Sequence, residues 1–283
     1  QTNTNFRLII RNNGSTDNTA EIIRAFSRRA PFEMEVINDQ ECLSPVYISF
    51  FSLFDYVTAD YVMFADGDDF WLPKKVEFSL SAIQEMENEH GKDMPLLHHT
   101  DLILVDEKLV PFNFSMWDTQ KLQPSRINIT RSIFHSSACG NTFIFNSALF
   151  AHLRVQPEEA IMHDIFVTTV AAIFGKIGCS NVSQILYRQH GNNICGGNSF
   201  FSVKNFSSKL DTGDLRARIA TKYKFASQLL DIFGESLPPN ARHEIERIAC
   251  LGQKNFFSRK LGLILLKGPM SHWARNLALV IFG

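Results

Sequence analysis

Three carboxylates crowd into Asp66-Gly67-Asp68-Asp69, directly after the apolar run Tyr61–Ala65 and directly before Phe70-Trp71. An apolar run of that length reads as a strand. A strand that ends in an acidic turn sets its carboxylates at the carboxyl edge of a sheet, where open α/β sheets bind ligands. Carboxylates this close repel one another unless a cation sits among them. A hard divalent metal is the simplest such cation, because it takes oxygen ligands and bridges to phosphate. Taken alone, the segment reads more readily as a solvated acidic turn.

Three further polar clusters fall at comparable positions. Asn12-Asn13-Gly14-Ser15-Thr16-Asp17 follows the apolar run Phe6–Arg11, His163-Asp164 precedes the apolar stretch Ile165–Phe174, and Arg188-Gln189-His190 follows Val182–Tyr187. Each has a bland account by itself: a turn with a helix cap, an acid near a helix N-terminus, an exposed strand end. Their succession at strand ends and helix starts argues for a single ligand-binding edge.

The elements that must position these groups follow from periodicity. Strands are expected at 6–11, 33–37, 61–65, 102–105, 142–145 and 182–187, and helices at 18–29, 43–57, from Pro73 onward, and at 165–174. Pro at a first helical turn is favourable, and strand alternating with helix implies parallel βαβ units. Residues 111–130 show no periodicity and read as a loop. From Phe200 onward the pattern is helical, broken at Pro238-Pro239.

Composition narrows the classes. The chain has 283 residues, 45% of them apolar with 25 Phe, and a net charge of −1, so no basic field argues for nucleic acid. The 5 cysteines form no CxxC pair, which argues against a disulfide framework or zinc site and fits a reducing cytoplasm. No run of about 18 apolar residues suggests a spanning helix. After Glu246 there is no acid, whereas Arg247, Lys254, Arg259, Lys260, Lys267 and Arg275 are basic. Apolar stripes at Phe257, Leu261, Ile264 and Leu265, and at Trp273, Leu277, Val280 and Ile281, suit the anionic inner face of a cell membrane. A helical cap packed on the main domain is the competing account.

With these residues in view, the chain resembles the family 2 glycosyltransferases of the GT-A fold, most closely their bacterial rhamnosyltransferase-like branch. Gly14-Ser-Thr-Asp-Asn-Thr19, Phe64-Ala-Asp-Gly-Asp-Asp-Phe-Trp71, His163-Asp164 and Leu186-Tyr-Arg-Gln-His-Gly-Asn-Asn193 match its motifs in order. The resemblance implies a mostly parallel, helix-flanked α/β sheet over residues 1–198, with a basic helical appendage over 199–283. It also implies that the family's first strand is missing before Gln1, an N-terminal truncation.

The resemblance further implies an inverting transfer of rhamnose or a hexose from a nucleoside-diphosphate sugar, dTDP-rhamnose or a UDP-hexose, to a surface polysaccharide or lipid-linked glycan. By the same resemblance Asp164 is the catalytic base. Asn12, Asn13, Asp17, Asp66 and Arg188 face the donor, and Asp68, Asp69 and His190 hold Mg²⁺ or Mn²⁺. Trp71, Asp101, Gly140, Asn141 and His163 lie on the acceptor side. Asn12-Asn13 stand where the family usually carries acid, which keeps a catalytically impaired sugar-nucleotide-binding or scaffold protein as the alternative. A His…His-Asp…Asp phosphohydrolase is all-helical and does not fit residues that follow strands. The haloacid-dehalogenase pattern fails at Phe70.

Overall fold

The computed structural model describes residues 1–37, 41–158, 161–190, 212–266 and 269–282. The chain opens with β1 (Arg7–Arg11), α1 (Thr19–Ser27) and β2 (Glu33–Ile37). It continues through α2 (Val46–Phe51), a 3₁₀ turn at Phe54–Tyr56, β3 (Tyr61–Met63), β4 (Phe70–Trp71) and α3 (Lys75–His90). Next come β5 (Leu96–Val105), β6 (Pro111–Asn113), α4 (Met116–Gln120), α5 (Ile129–His135) and a 3₁₀ turn at Gly140–Thr142. The sheet is completed by β7 (Ile144–Asn146), α6 (Ser147–Ala151), α7 (His163–Phe174) and β8 (Lys176–Arg188). Four helices follow: α8 (Thr212–Phe233), α9 (Pro239–Leu251), α10 (Phe256–Leu265) and α11 (Trp273–Phe282).

Among the described residues the strands form two sheets. β1 and β2 pair in parallel, with Arg7 opposite Glu33 and Arg11 opposite Ile37. The larger sheet has the order β3-β7-β5-β8-β4, with β6 on the side of β5. The α/β class and the flanking helices agree with the expectation, but the pairing is mixed rather than mostly parallel. Only β5–β8 is parallel there, while β3–β7, β5–β7, β4–β8 and β5–β6 run antiparallel. The short strands β3, β4 and β7 pair with strands remote in sequence, whose relative direction the alternation of elements along the chain does not reveal.

Two local readings also change. Residues 111–130, expected as loop, contain β6, α4 and the start of α5. Ser115 caps α4 by accepting from Asp118 N, and Asn128 caps α5 by accepting from Arg131 N. Ser and Asn signal loop and cap alike, so the composition hid two short helices. The expected long helix at 43–57 is only α2 plus a 3₁₀ turn, an arrangement that buries both Phe51 and Phe54.

The heavy use of Phe has a structural outlet. Phe51, Phe54, Phe64, Phe143, Phe145, Phe150 and Phe166 share one buried cluster. Phe64 meets Phe143 and Phe145 edge-on at centroid distances of 5.5 and 5.6 Å. Such pairs contribute about 0.5–1.5 kcal/mol each beyond burial. The cluster runs on without interruption into Phe225, Leu229, Ile245, Leu263 and Leu279, so α8 to α11 pack their inner sides on the same core as α7. Gly175 makes the joint between α7 and β8 possible, since a Cβ there would lie 1.8 Å from the carbonyl oxygen of Pro95. That joint sets β8 beside β5 and so fixes where Arg188 and His190 emerge.

Candidate active site

β3 and β4 stand at opposite ends of the strand order, yet only Phe64–Asp69 joins them. The acidic segment must therefore cross the sheet, past the turn ahead of β7 and the end of β8. Its contacts follow from that path. Asp69 accepts from the side-chain amide of Asn141 and, at 3.2 Å, from the backbone N–H of Arg188. Asp68 Oδ2 lies 2.8 Å from His190 Nε2. The Arg188 guanidinium donates to the carbonyl oxygens of Asp68 and Glu107, both at 3.0 Å, and so braces the turn from beneath.

Asp164 joins the group from the first turn of α7. Its Oδ2 accepts from Gly140 N at 3.3 Å and its Oδ1 from Ile165 N at 2.7 Å. Burial pushes the Asp66 carboxyl up to about 7, and the neighbouring charges of Asp69, Asp164 and Asp68 add to the effect. Burial likewise pushes Asp69 up to about 6, against the hydrogen bonds from Asn141 and Arg188. The carboxylates thus form one electrostatic unit with more negative charge than its own hydrogen bonds offset. His163 is buried against Phe50, stacked at 3.8 Å between centroids, and burial lowers its pKa against the opposing pull of Asp164. Its ring forms an apolar-packed wall beside Asp164.

Other candidates make local contacts that fasten the fold. Asn13 donates to and accepts from the backbone of Leu43, both at 2.7 Å, so its amide fastens the 13 and 43 segments together. Asn12 accepts from Ser15 N, and Asp17 accepts from the backbone and hydroxyl of Thr19 at the start of α1. Asp101 is buried at a register shift of β5 and accepts from Ser115 Oγ and from the backbone N–H groups of Leu102, Met116 and Trp117. Its carboxylate is the anchor of α4. Gly191, Asn192 and Asn193 lie outside the described residues, as does the side chain of Trp273.

One residue was not foreseen. Lys75 is fully buried and donates to Thr142 O at 2.8 Å and to Ser79 Oγ at 3.2 Å, with its ammonium 5.6 Å from the centre of a Trp71 ring. Burial pushes its pKa down to about 7. It holds the Gly140–Thr142 turn, in which Gly140 and Asn141 hold Asp164 and Asp69. A lysine at a helix start is ordinarily solvated, so nothing in the sequence marked it.

Asp68 and His190 offer an oxygen and a nitrogen donor in contact, with Asp69 and the up-shifted Asp66 beside them. Among the described residues no set of three ligand-type side chains surrounds one point. A magnesium-like ion keeps water and phosphate oxygens as most of its ligands and needs only one or two protein carboxylates. This donor set fits that kind of site.

The model of a family described as Glycosyl transferase family 2 matches residues 1–90, which run from β1 through the acidic turn to the end of α3. No curated protein sequence matches the chain. Among solved structures, S. aureus TarS 1-349 in complex with UDP-GlcNAc is similar with a TM-score of 0.54 and 15% identity, over 90% of this chain and 64% of that one. The same TarS region with UDP gives 0.51 and 14%, over 90% and 63%. Without ligand it gives 0.52 and 14%, over 88% and 63%. The chain therefore spans just under two thirds of the TarS 1-349 length. The chain has the GT-A fold, and its first 90 residues carry the glycosyl transferase family 2 signature.

Proposed function

We propose that the chain transfers a sugar from a nucleoside-diphosphate donor to a hydroxyl of a glycan or lipid-linked glycan, inverting the anomeric centre. The observation that carries this reading is the meeting of the Asp66–Asp69 turn with both Asp164 and His190 at one edge of a GT-A sheet. The likeness to TarS in complex with UDP-GlcNAc and with UDP supports a UDP-hexose donor ahead of dTDP-rhamnose.

Asp68 and His190, with Asp69 beside them, would hold Mg²⁺ or Mn²⁺; such an ion supplies Lewis-acid stabilisation of a departing diphosphate. Asp66 would face the donor's ribose, and Arg188 would keep the acidic turn in place. Asp164 would take the proton of the acceptor hydroxyl as its oxygen bonds to the anomeric carbon. The bond from that carbon to the diphosphate breaks with its electron pair leaving on the nucleoside diphosphate. Gly140 N and Ile165 N aim the Asp164 carboxylate, and Asn141, Trp71 and His163 would border the acceptor.

Release of nucleoside diphosphate from UDP-hexoses and dTDP-rhamnose, with Mn²⁺ and with chelator, tests the reading. A positioned base contributes ~10²–10⁴-fold, so Asp164→Asn is expected to lose that factor in turnover while UDP affinity changes less than about threefold. An Asn variant with undiminished turnover removes Asp164 as the base. Tight donor binding without turnover by the wild type would instead support the binding-protein alternative.

A further inference from the structure

We propose that the outward face of α10 is a docking surface for an anionic lipid bilayer, lying in the headgroup layer and not crossing it. The proposal is independent of the transfer reading. Among the described residues no helix is long and apolar enough to span a membrane, and α10 with 10 residues is about 15 Å long.

The inward side of α10 is accounted for. Leu263 is 1% exposed and belongs to the common core. A helix packed on a protein surface normally turns a polar side to water. Here the outer side is apolar: Phe257, Leu261, Ile264 and Leu265 are 81%, 60%, 59% and 56% exposed. Their spacing of 4, 7 and 8 residues from Phe257 gathers them on one stripe spanning roughly 100° of arc. Single exposed apolar residues are ordinary, whereas a contiguous stripe marks an interaction surface. A shallow groove lined by Lys254, Asn255, Ser258, Leu261, Gly262 and Leu265 runs along the same flank.

Charge selects the partner. From Arg247 to the end of the sequence there are six Lys or Arg and no Asp or Glu, although the whole chain is net −1. Lys254 is exposed beside the stripe, and Lys260 is half-buried next to Leu261. Arg259 holds the carbonyl oxygens of Leu251 and Lys254, which keeps α10 docked on the end of α9. A second copy of this chain would set the Lys254 and Lys260 flank of α10 against its like. An anionic lipid surface offsets that charge, roughly fivefold in affinity per cation near the surface, and accepts the Phe, Leu and Ile side chains at the acyl boundary.

Flotation of the whole chain with vesicles of phosphatidylcholine, with and without phosphatidylglycerol, tests this. Binding is expected on the anionic vesicles at about 50 mM salt, at least about fivefold weaker at about 500 mM and on phosphatidylcholine alone. Leu261→Gln with Ile264→Gln should weaken it at least about tenfold, and Lys254→Glu with Lys260→Glu about as much. Circular dichroism melts establish that the variants are folded. If the double variants do not fold, Phe257→Gln and the salt and lipid dependence of the wild type decide. No flotation of the folded wild type on anionic vesicles overturns the proposal, as does unchanged binding by a folded Leu261→Gln, Ile264→Gln variant. A dimer dissolved by those substitutions, without vesicle binding, overturns it in favour of a second copy.

Discussion

His190 Nε2 lies 2.8 Å from Asp68 Oδ2, across 122 residues of sequence. The contact joins the end of β8 to a turn that starts from the far edge of the same sheet. It is local in space only because β8 lies between β5 and β4 and the acidic segment crosses over to reach β4. The same crossing brings Asp69 to Asn141 and to Arg188 N.

If Asp68 and His190 share a divalent ion, removing either should raise the Mn²⁺ concentration needed for half-maximal turnover. Loss of an ordered group at a metal site costs ~10–100-fold in affinity or activity. His190→Ala and Asp68→Asn are each expected to fall in that range in a Mn²⁺ titration, with melting temperatures near wild type. Both partners are partly exposed, so their contact adds little to stability. A His190→Ala protein with an unchanged Mn²⁺ titration would take His190 out of the ion's surroundings.

Asp101 should separate stability from activity. Its two oxygens accept from one hydroxyl and three backbone N–H groups while the residue is buried. Asp101→Ala would leave those donors unpaired at the start of α4, at a cost of about 2–4 kcal/mol. The expected outcome is a large drop in melting temperature with acceptor KM unchanged in the folded fraction. A raised acceptor KM with normal stability would return Asp101 to the acceptor side.

These two acids show what the sequence could and could not disclose. Asp68 and Asp101 are both acids beside strand-like runs, and short polar side chains look alike whether they meet a ligand or a backbone N–H. Asn13 is the same case, its amide spent on Leu43. Three of the four motif clusters, Asp66–Asp69, His163-Asp164 and Arg188–His190, meet in the structure, and each lies beside a strongly periodic apolar run; β1, β2, α1, α3 and α7 were legible from the same periodicity. Strand order was not, since pairing is decided by contacts remote in sequence, and β3, β4 and β7 are each only two or three residues long. Lys75 was invisible for a related reason: its burial depends on the Gly140–Thr142 turn, about 65 residues on.

Lys222 predicts a pH dependence. It is half-buried on α8, donates to Ile133 O at 2.8 Å, and lies 5.9 Å from the Phe134 ring centre. Burial, helped by Arg218, pushes its pKa down to about 7 from 10.5. Between those values the unfolded chain binds a proton that the folded chain does not, so this group makes stability rise with pH across that window and leaves it flat below about 7. Nearby His135 is already neutral there, pushed down to about 3, and burial also lowers the pKa of Arg275. Relative to Lys222→Met, the wild type should gain at least about 3 °C in melting temperature from pH 7 to pH 10. A gap that stays constant over that range would mean Lys222 is charged when folded.

Gly140 gives the sharpest geometric test of the catalytic arrangement. A Cβ at this position would lie 3.0 Å from His163 Nε2 and 3.2 Å from Asp164 Cβ. His163 cannot yield easily, because it is stacked on Phe50 and meets Phe64 edge-on at 5.0 Å. The strain of Gly140→Ala should therefore fall on Asp164 and on the 3.3 Å bond from Gly140 N that aims it. Misplacing a reacting group by about 1 Å can cost 10²-fold, and a shift of a few tenths should cost about 3–30-fold in turnover. Donor affinity should hold, because Asp68 and His190 are reached from other elements. Stability should fall by no more than about 2 kcal/mol, as for modest overpacking. Turnover at the wild-type rate in a folded Gly140→Ala protein would show that the proton leaves the acceptor by some route other than the Asp164 carboxylate in this position.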